Sequence, residues 1–148
     1  MSKLVTVVFG FVFGTLVSFL TAFVFMLIGQ VLAGGITSFQ GESWLYISSI
    51  IPFAITFAVI GGYIHNKKAI TKRKLWFISF VSAFFVSLVS GTVGAIFAEF
   101  IDRGGLETLN VDGTLIWGTV YSFALLPITV PFARFLIGMF SKLSMKFI

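Results

Sequence analysis

Glu99 is the only acidic residue set inside one of the chain's long apolar runs, Leu75 to Ile101. A carboxylate held at the middle of a bilayer costs several kcal/mol and marks an ion path or a proton relay. Glu99 stands two residues from the end of its run, which brings it close to the headgroup region, where an acid is ordinary. It is a candidate polar or ion site together with Gln30, the amide near the end of the first apolar run.

Other residues with chemical capability are few. His65 is the sole histidine, the chain has no cysteine, and no cluster has metal-ligand spacing. A solvated histidine beside a basic loop is the expectation for His65. There is no Ser/His/Asp set, no phosphate-binding glycine loop and no pair of neighbouring carboxylates inside a run. The sequence therefore predicts a protein that is not an enzyme and has no cofactor or metal. Pro52, Pro127 and Pro131 each remove a backbone donor and can bend a helix. The last two, four apart, predict a kink in the final apolar run.

These residues sit in a chain of 148 residues, 58% apolar and 10% charged, with a mean hydropathy of +1.10. Soluble domains carry roughly 25% charged residues. The apolar residues form four runs, at about 4–32, 44–64, 75–101 and 114–133. Each is near or above the ~20 residues needed to cross a hydrocarbon core. The expected architecture is an all-α integral membrane protein, a single four-helix transmembrane bundle over residues 1–148. The first run is too long for a cleaved signal and reads as an uncleaved helix.

Charge sets the expected orientation. Lys3, Lys67, Lys68, Lys72, Arg73, Lys74, Arg134, Lys142 and Lys146 fall on one side of four crossings, leaving only Arg103 on the other. Glu42, Glu99, Asp102, Glu107 and Asp112 lie on or toward that other side. The positive-inside rule then places both termini and the 65–74 loop in the cytoplasm, in a multipass protein of the cytoplasmic membrane. Lys67, Lys68, Lys72, Arg73 and Lys74, with Lys142 and Lys146, are candidates for contact with anionic lipid or a partner. Nucleic acid is not an expected partner, since the basic loop has no interleaved aromatics and no folded platform.

Two rows of small residues recur every fourth position. The first helix carries Thr6, Gly10, Gly14, Ser18 and Ala22; the third carries Ser79, Ala83, Ser87, Gly91 and Ala95, ending at Glu99. A shorter row, Ser90, Gly94 and Ala98, runs beside the latter. Residues four apart stack on one helix face. A face so bare lets another backbone approach, and dispersion contacts then hold helices together in lipid. Phenylalanine, of which the chain has 20, fills the grooves beside such contacts.

Trp44 and Trp117 each open a helix, and the 46–52 and 121–127 stretches share a Tyr…Pro spacing. The chain is thus consistent with two parallel helical-hairpin repeats offset by about 71–75 residues. Residues 135–148 place Leu136, Met139, Phe140, Leu143 and Phe147 on one face beside Lys142 and Lys146. This predicts a short interfacial amphipathic segment on the inner leaflet.

Two functions fit. One is a membrane-embedded structural, docking or regulatory subunit that self-associates, or packs with membrane or cytoplasmic partners, through its small faces. The other is a small homo-oligomeric channel, pore former or transporter lined by Ser79, Ser82, Ser87, Ser90, Thr92, Gln30 and Glu99. The direction in which the serines point separates them, and the mixture of serine with alanine and glycine favours packing.

Overall fold

The computed structural model of the chain describes residues 2–32, 34, 43–65 and 70–147. They form six helices in this order: α1 (Lys3–Leu32), α2 (Ser43–Ile64), α3 (Lys72–Gly91), α4 (Val93–Arg103), α5 (Val111–Ala124) and α6 (Leu126–Phe147). Four helical stretches are long and apolar enough to cross a membrane: Lys3–Leu32, Ser43–Ile64, Lys72–Arg103 and Leu126–Lys146. Lys67 and Lys68 of the basic loop, and Glu42, lie outside the described residues.

Local chemistry sets the ends. Thr71 caps α3 by accepting from the Lys74 N–H at 3.4 Å. Asn110 caps α5 by accepting from the Gly113 N–H at 2.9 Å. Side-chain oxygens at these positions satisfy donors that the first helical turn leaves free. Gly104 ends α4 at φ 74°, a left-handed conformation that glycine adopts without penalty. Ser43 opens α2 and donates to both carboxylate oxygens of Asp102, at 2.9 and 3.0 Å. This tether holds the start of α2 beside the end of α4.

α1 and α2 pack closely along most of their lengths. Thr6, Gly10, Gly14, Ser18 and Ala22 are all buried, and the row seats on α2. A Cβ at Gly10 would strike the Phe57 carbonyl oxygen, and one at Gly14 would sit 2.5 Å from that of Phe53. The fit is reciprocal, because a Cβ at Gly61 would meet the Thr6 carbonyl. Backbone therefore lies on backbone, the geometry that small residues permit.

Below this seam Phe9, Phe13, Phe57 and Phe140 form an aromatic cluster. Phe140 lies 5.7 Å from Phe9, 5.1 Å from Phe13 and 5.5 Å from Phe57, centroid to centroid. These spacings fall in the favourable range for ring pairs.

Phe140 corrects the expectation for the end of the chain. Residues 135–147 are not a separate interfacial segment; they continue α6. Leu136, Ile137, Phe140 and Ser144 are buried, and Phe140 packs on rings from α1 and α2. Met139, placed by sequence on the same face, is 37% exposed. The polar stripe of Lys142 and Lys146 was legible, but its apolar reverse meets protein rather than acyl chains. The fourth apolar stretch accordingly moves from 114–133 to Leu126–Lys146, with the 14-residue α5 in front of it.

Two joints interrupt the second half of the chain, one at Thr92 inside Lys72–Arg103 and one at Leu125 just ahead of Leu126–Lys146. The joint at Leu125 stands two residues before Pro127. Pro127 falls in the first turn of α6, where its missing N–H costs no hydrogen bond. Pro131 lies inside α6, and Pro52 is buried inside α2 without interrupting it.

The joint at Thr92 is a departure from the single third helix expected over 75–101. Thr92 adopts φ −117°, ψ −96°, and both its N–H and its hydroxyl turn to the Leu88 carbonyl. Such back-bonding bends helices, and Gly91 and Gly94 offer no side chains to oppose it. The bend divides the labour of the small rows. Gly91 faces α5, where a Cβ at Gly118 would strike its carbonyl. Gly94 faces α2, 2.8 Å (from an added Cβ) to the Ser48 oxygen. Pro52 has no N–H to offer that oxygen, so a bare glycine is what the site accommodates.

Candidate functional site

α5 packs on α3, α4 and α6 but does not meet α2. α3 and α4 touch both, so they form the floor of a cleft with α2 as one wall and α5 with α6 as the other. Its volume is about 640 Å³, within the 300–1,000 Å³ typical of small-molecule sites. The cleft is deepened by the Gly91–Gly118 approach, which brings α5 down on the floor, and by the joint at Leu125, which redirects α6 beyond it.

Ser87, Gly91, Ala95 and Glu99 of the long small row line the floor, together with Ser82 and Ser90. The upper part of the same row differs. Ala83 still lines the cleft although it is buried, whereas Ser79 is buried away from it and donates back to the Leu75 carbonyl at 2.7 Å. Thus four of the seven residues proposed as a polar lining are brought together: Ser82, Ser87, Ser90 and Glu99. Ser79, Thr92 and Gln30 are not among the lining residues; Gln30 is half-buried near the end of α1.

Glu99 closes one end of the cleft. The residue is 8% exposed. Its Oε1 lies 3.2 Å from Arg103 Nε and accepts from the Thr108 hydroxyl at 3.1 Å. Arg103 also donates to that hydroxyl at 3.3 Å. The three side chains pin the 104–110 turn against α4. Glu99→Gln is expected to lower stability by less than about 1 kcal/mol, because the Arg103 side chain is 60% exposed and water screens the pair. A thermal melt in detergent checks this; loss of the folded protein would show a deeper role for the acid.

Two groups stand out among the hydroxyls that line the cleft. Ser48, Ser49, Ser122 and Thr129 donate to carbonyls three or four residues back in their own helices. Thr21, Thr56 and Ser90 have buried hydroxyls with no hydrogen-bond partner, and all three residues line the cleft. A buried hydroxyl left unpaired costs on the order of 1–3 kcal/mol, so three around one space are notable. Trp44, Trp117 and Tyr121 line it as well. Toward the basic end the cleft stops at Phe57, Leu136 and Ile137 of the aromatic core.

Thr21, Thr56, Thr108 and Gly118 were not singled out by sequence. A usable signal existed for Gly118, which stands four residues before Ser122 and so forms a short small row on α5. Threonines scattered through apolar runs give no such signal.

The other polar candidates lie elsewhere. His65 is half-buried rather than solvated, its Nδ1 3.1 Å from Thr6 Oγ1, which joins the end of α2 to the first turns of α1. Arg134 stacks over Trp76, 4.1 Å from the ring centroid. Lys72, Arg73, Lys74, Lys142 and Lys146 are exposed. Among the described residues no three His, Cys, Asp or Glu side chains gather as a metal site.

No protein-family model, curated protein or solved structure matches this chain.

Proposed function

We propose that the chain is a non-enzymatic multipass membrane protein that holds a guest molecule in the cleft between α2 and α5, acting as a binding or regulatory subunit within the bilayer. One observation carries this reading: a cleft of about 640 Å³ whose walls contain three hydroxyls without partners. Helix faces that met only lipid would gain nothing from such groups. The small rows support the same view in another way. Gly10, Gly14 and Gly91 are occupied by contacts within the chain, so self-association would have to use other surfaces.

Transport is the second reading, favoured by Ser82, Ser87, Ser90 and Glu99 sharing the floor of the cleft. A continuous pore is disfavoured, since the cleft ends on packed aromatic and aliphatic side chains. In the proposed orientation the basic end, with Lys72, Arg73, Lys74, Lys142 and Lys146, lies in the cytoplasm of a cell bounded by this membrane, against anionic headgroups or a partner. The correspondence between the two hairpins belongs to this proposal too, with the second hairpin bent at Thr92 and Leu125 to create the space that the first closes.

The absence of cysteine makes labelling clean. Cysteines at Ile70 and Thr108 are expected to react from the cytoplasmic and the external side respectively, and the opposite pattern would invert the topology. A cysteine at Ser87 should react several-fold more slowly with a lipid-soluble maleimide in native membranes than after delipidation. A cysteine at the outward-facing Val81 should not change. Equal behaviour of the two would remove the guest from the cleft.

A further inference from the structure

We infer that the guest is a neutral amphiphile: a single long apolar chain carrying an uncharged hydrogen-bonding head, of the monoacylglycerol or long-chain alcohol type. This rests on the reading of the cleft as a guest site and adds the chemistry of what it takes. Glu99 and Arg103 are the only charged residues in the lining among the described residues, and they are already paired with each other at 3.2 Å. A charged head would enter a low-dielectric space that offers it no free counter-charge, at heavy desolvation cost.

The unpartnered groups point the same way. Thr21, Thr56 and Ser90 line the cleft with hydroxyl oxygens that are enclosed and have no partner in the chain; a rotation about χ1 would bring each within reach of a guest, able to donate one hydrogen bond and accept others. Alcohol, ester and carbonyl oxygens match such groups, and formal charges are not required. Thr56 is 8% exposed and Ser90 is half-buried, so water does not readily supply the missing partners. The remaining walls are apolar, with Phe25, Phe53 and Phe132 suited to an alkyl chain.

The test uses purified, delipidated full-length protein carrying Trp76→Phe, so that fluorescence reports from Trp44 and Trp117 in the cleft wall. The probes are 9,10-dibrominated monoolein, oleyl sulfate and oleyltrimethylammonium, which share a chain and differ in head charge. Monoolein is expected to quench with at least about tenfold higher affinity than either charged probe. Ser87→Phe, or Ala95→Phe if that variant does not fold, fills the cleft and should abolish this saturable quenching.

Thr56→Val keeps the side-chain shape and removes one unpartnered hydroxyl. It should weaken monoolein binding several-fold while leaving thermal stability equal or higher, a combination that a purely structural threonine would not give. Tighter binding of a charged probe, still abolished by Ser87→Phe, would overturn the neutral head and leave the guest site standing. Absence of saturable quenching by any probe, or quenching indifferent to both filling variants, would overturn both.

Discussion

Gly14→Leu is expected to prevent the bundle from forming. An added Cβ alone would lie 2.5 Å from the Phe53 oxygen and 3.0 Å from the Ala54 Cα. Both neighbours are main chain of a helix, which cannot rotate aside as a side chain can. The two helices would have to separate along the seam that holds Thr6, Gly10 and Ser18. Overpacking a core by a few methylenes costs typically 1–3 kcal/mol and sometimes more. A leucine against backbone belongs at or beyond the top of that range, a large part of the ~5–15 kcal/mol that stabilises a typical protein. Gly29 supplies the control, since nothing lies within 4 Å of a Cβ there. Gly29→Leu should purify and melt like the parent. Equal melts for the two variants, followed by circular dichroism in detergent, would disprove the seam.

The third helix behaves differently under the same operation. A Cβ at Gly91 would be 3.4 Å from the Gly118 oxygen, whereas one at Gly118 would collide with Gly91. Gly91→Leu should still push α5 away from the floor of the cleft, with α1 and α2 left seated.

The second large effect is expected at Phe140. Its side chain is fully buried and meets three other rings. Phe140→Ala should cost about 3 kcal/mol, near the lower end for truncating a buried phenylalanine. Under the proposed membrane location the lower end applies, because lipid, unlike water, does not penalise exposing the rest of the cluster, and lost dispersion contacts dominate. Met139→Ala, one residue away and 37% exposed, should stay within about 0.5 kcal/mol. A tail lying on the inner leaflet would make the two substitutions alike and both small, so the contrast decides between α6 as core and α6 as anchor.

These cases show what the sequence could and could not convey. Spacing of four made the Gly10–Gly14 row legible, because the absence of side chains on one face is written in residue types. Its partner was not legible. α2 receives the row with the carbonyls of Phe53 and Phe57, and every residue has a carbonyl. The row that points to α2, Ala54 and Ala58 with Gly61, is shorter and lies beside Pro52, whose chemistry signals bending instead.

The joint at Leu125 lies beside Pro127, a residue whose backbone chemistry is readable from its type alone. The joint at Thr92 has no such mark, since threonine and glycine occur throughout apolar helices without breaking them. The burial of Phe140 is not readable for a definite reason: an amphipathic pattern identifies the polar side of a helix but does not say whether the other side meets lipid or protein. The cleft depends on α2 and α5 standing apart, and that separation follows from two joints in different helices acting together. Glu99 was identified as a polar candidate, while the Thr108 that completes its surroundings lies in a turn with no periodicity to read.

The most direct measurement is a native mass spectrum of the full-length protein released gently from its own membrane. The chain of 16.2 kDa should carry one small lipid-like molecule, and Ser87→Phe should appear without it. A parent chain that flies bare, or a bound molecule that Ser87→Phe retains, would contradict the guest-holding cleft.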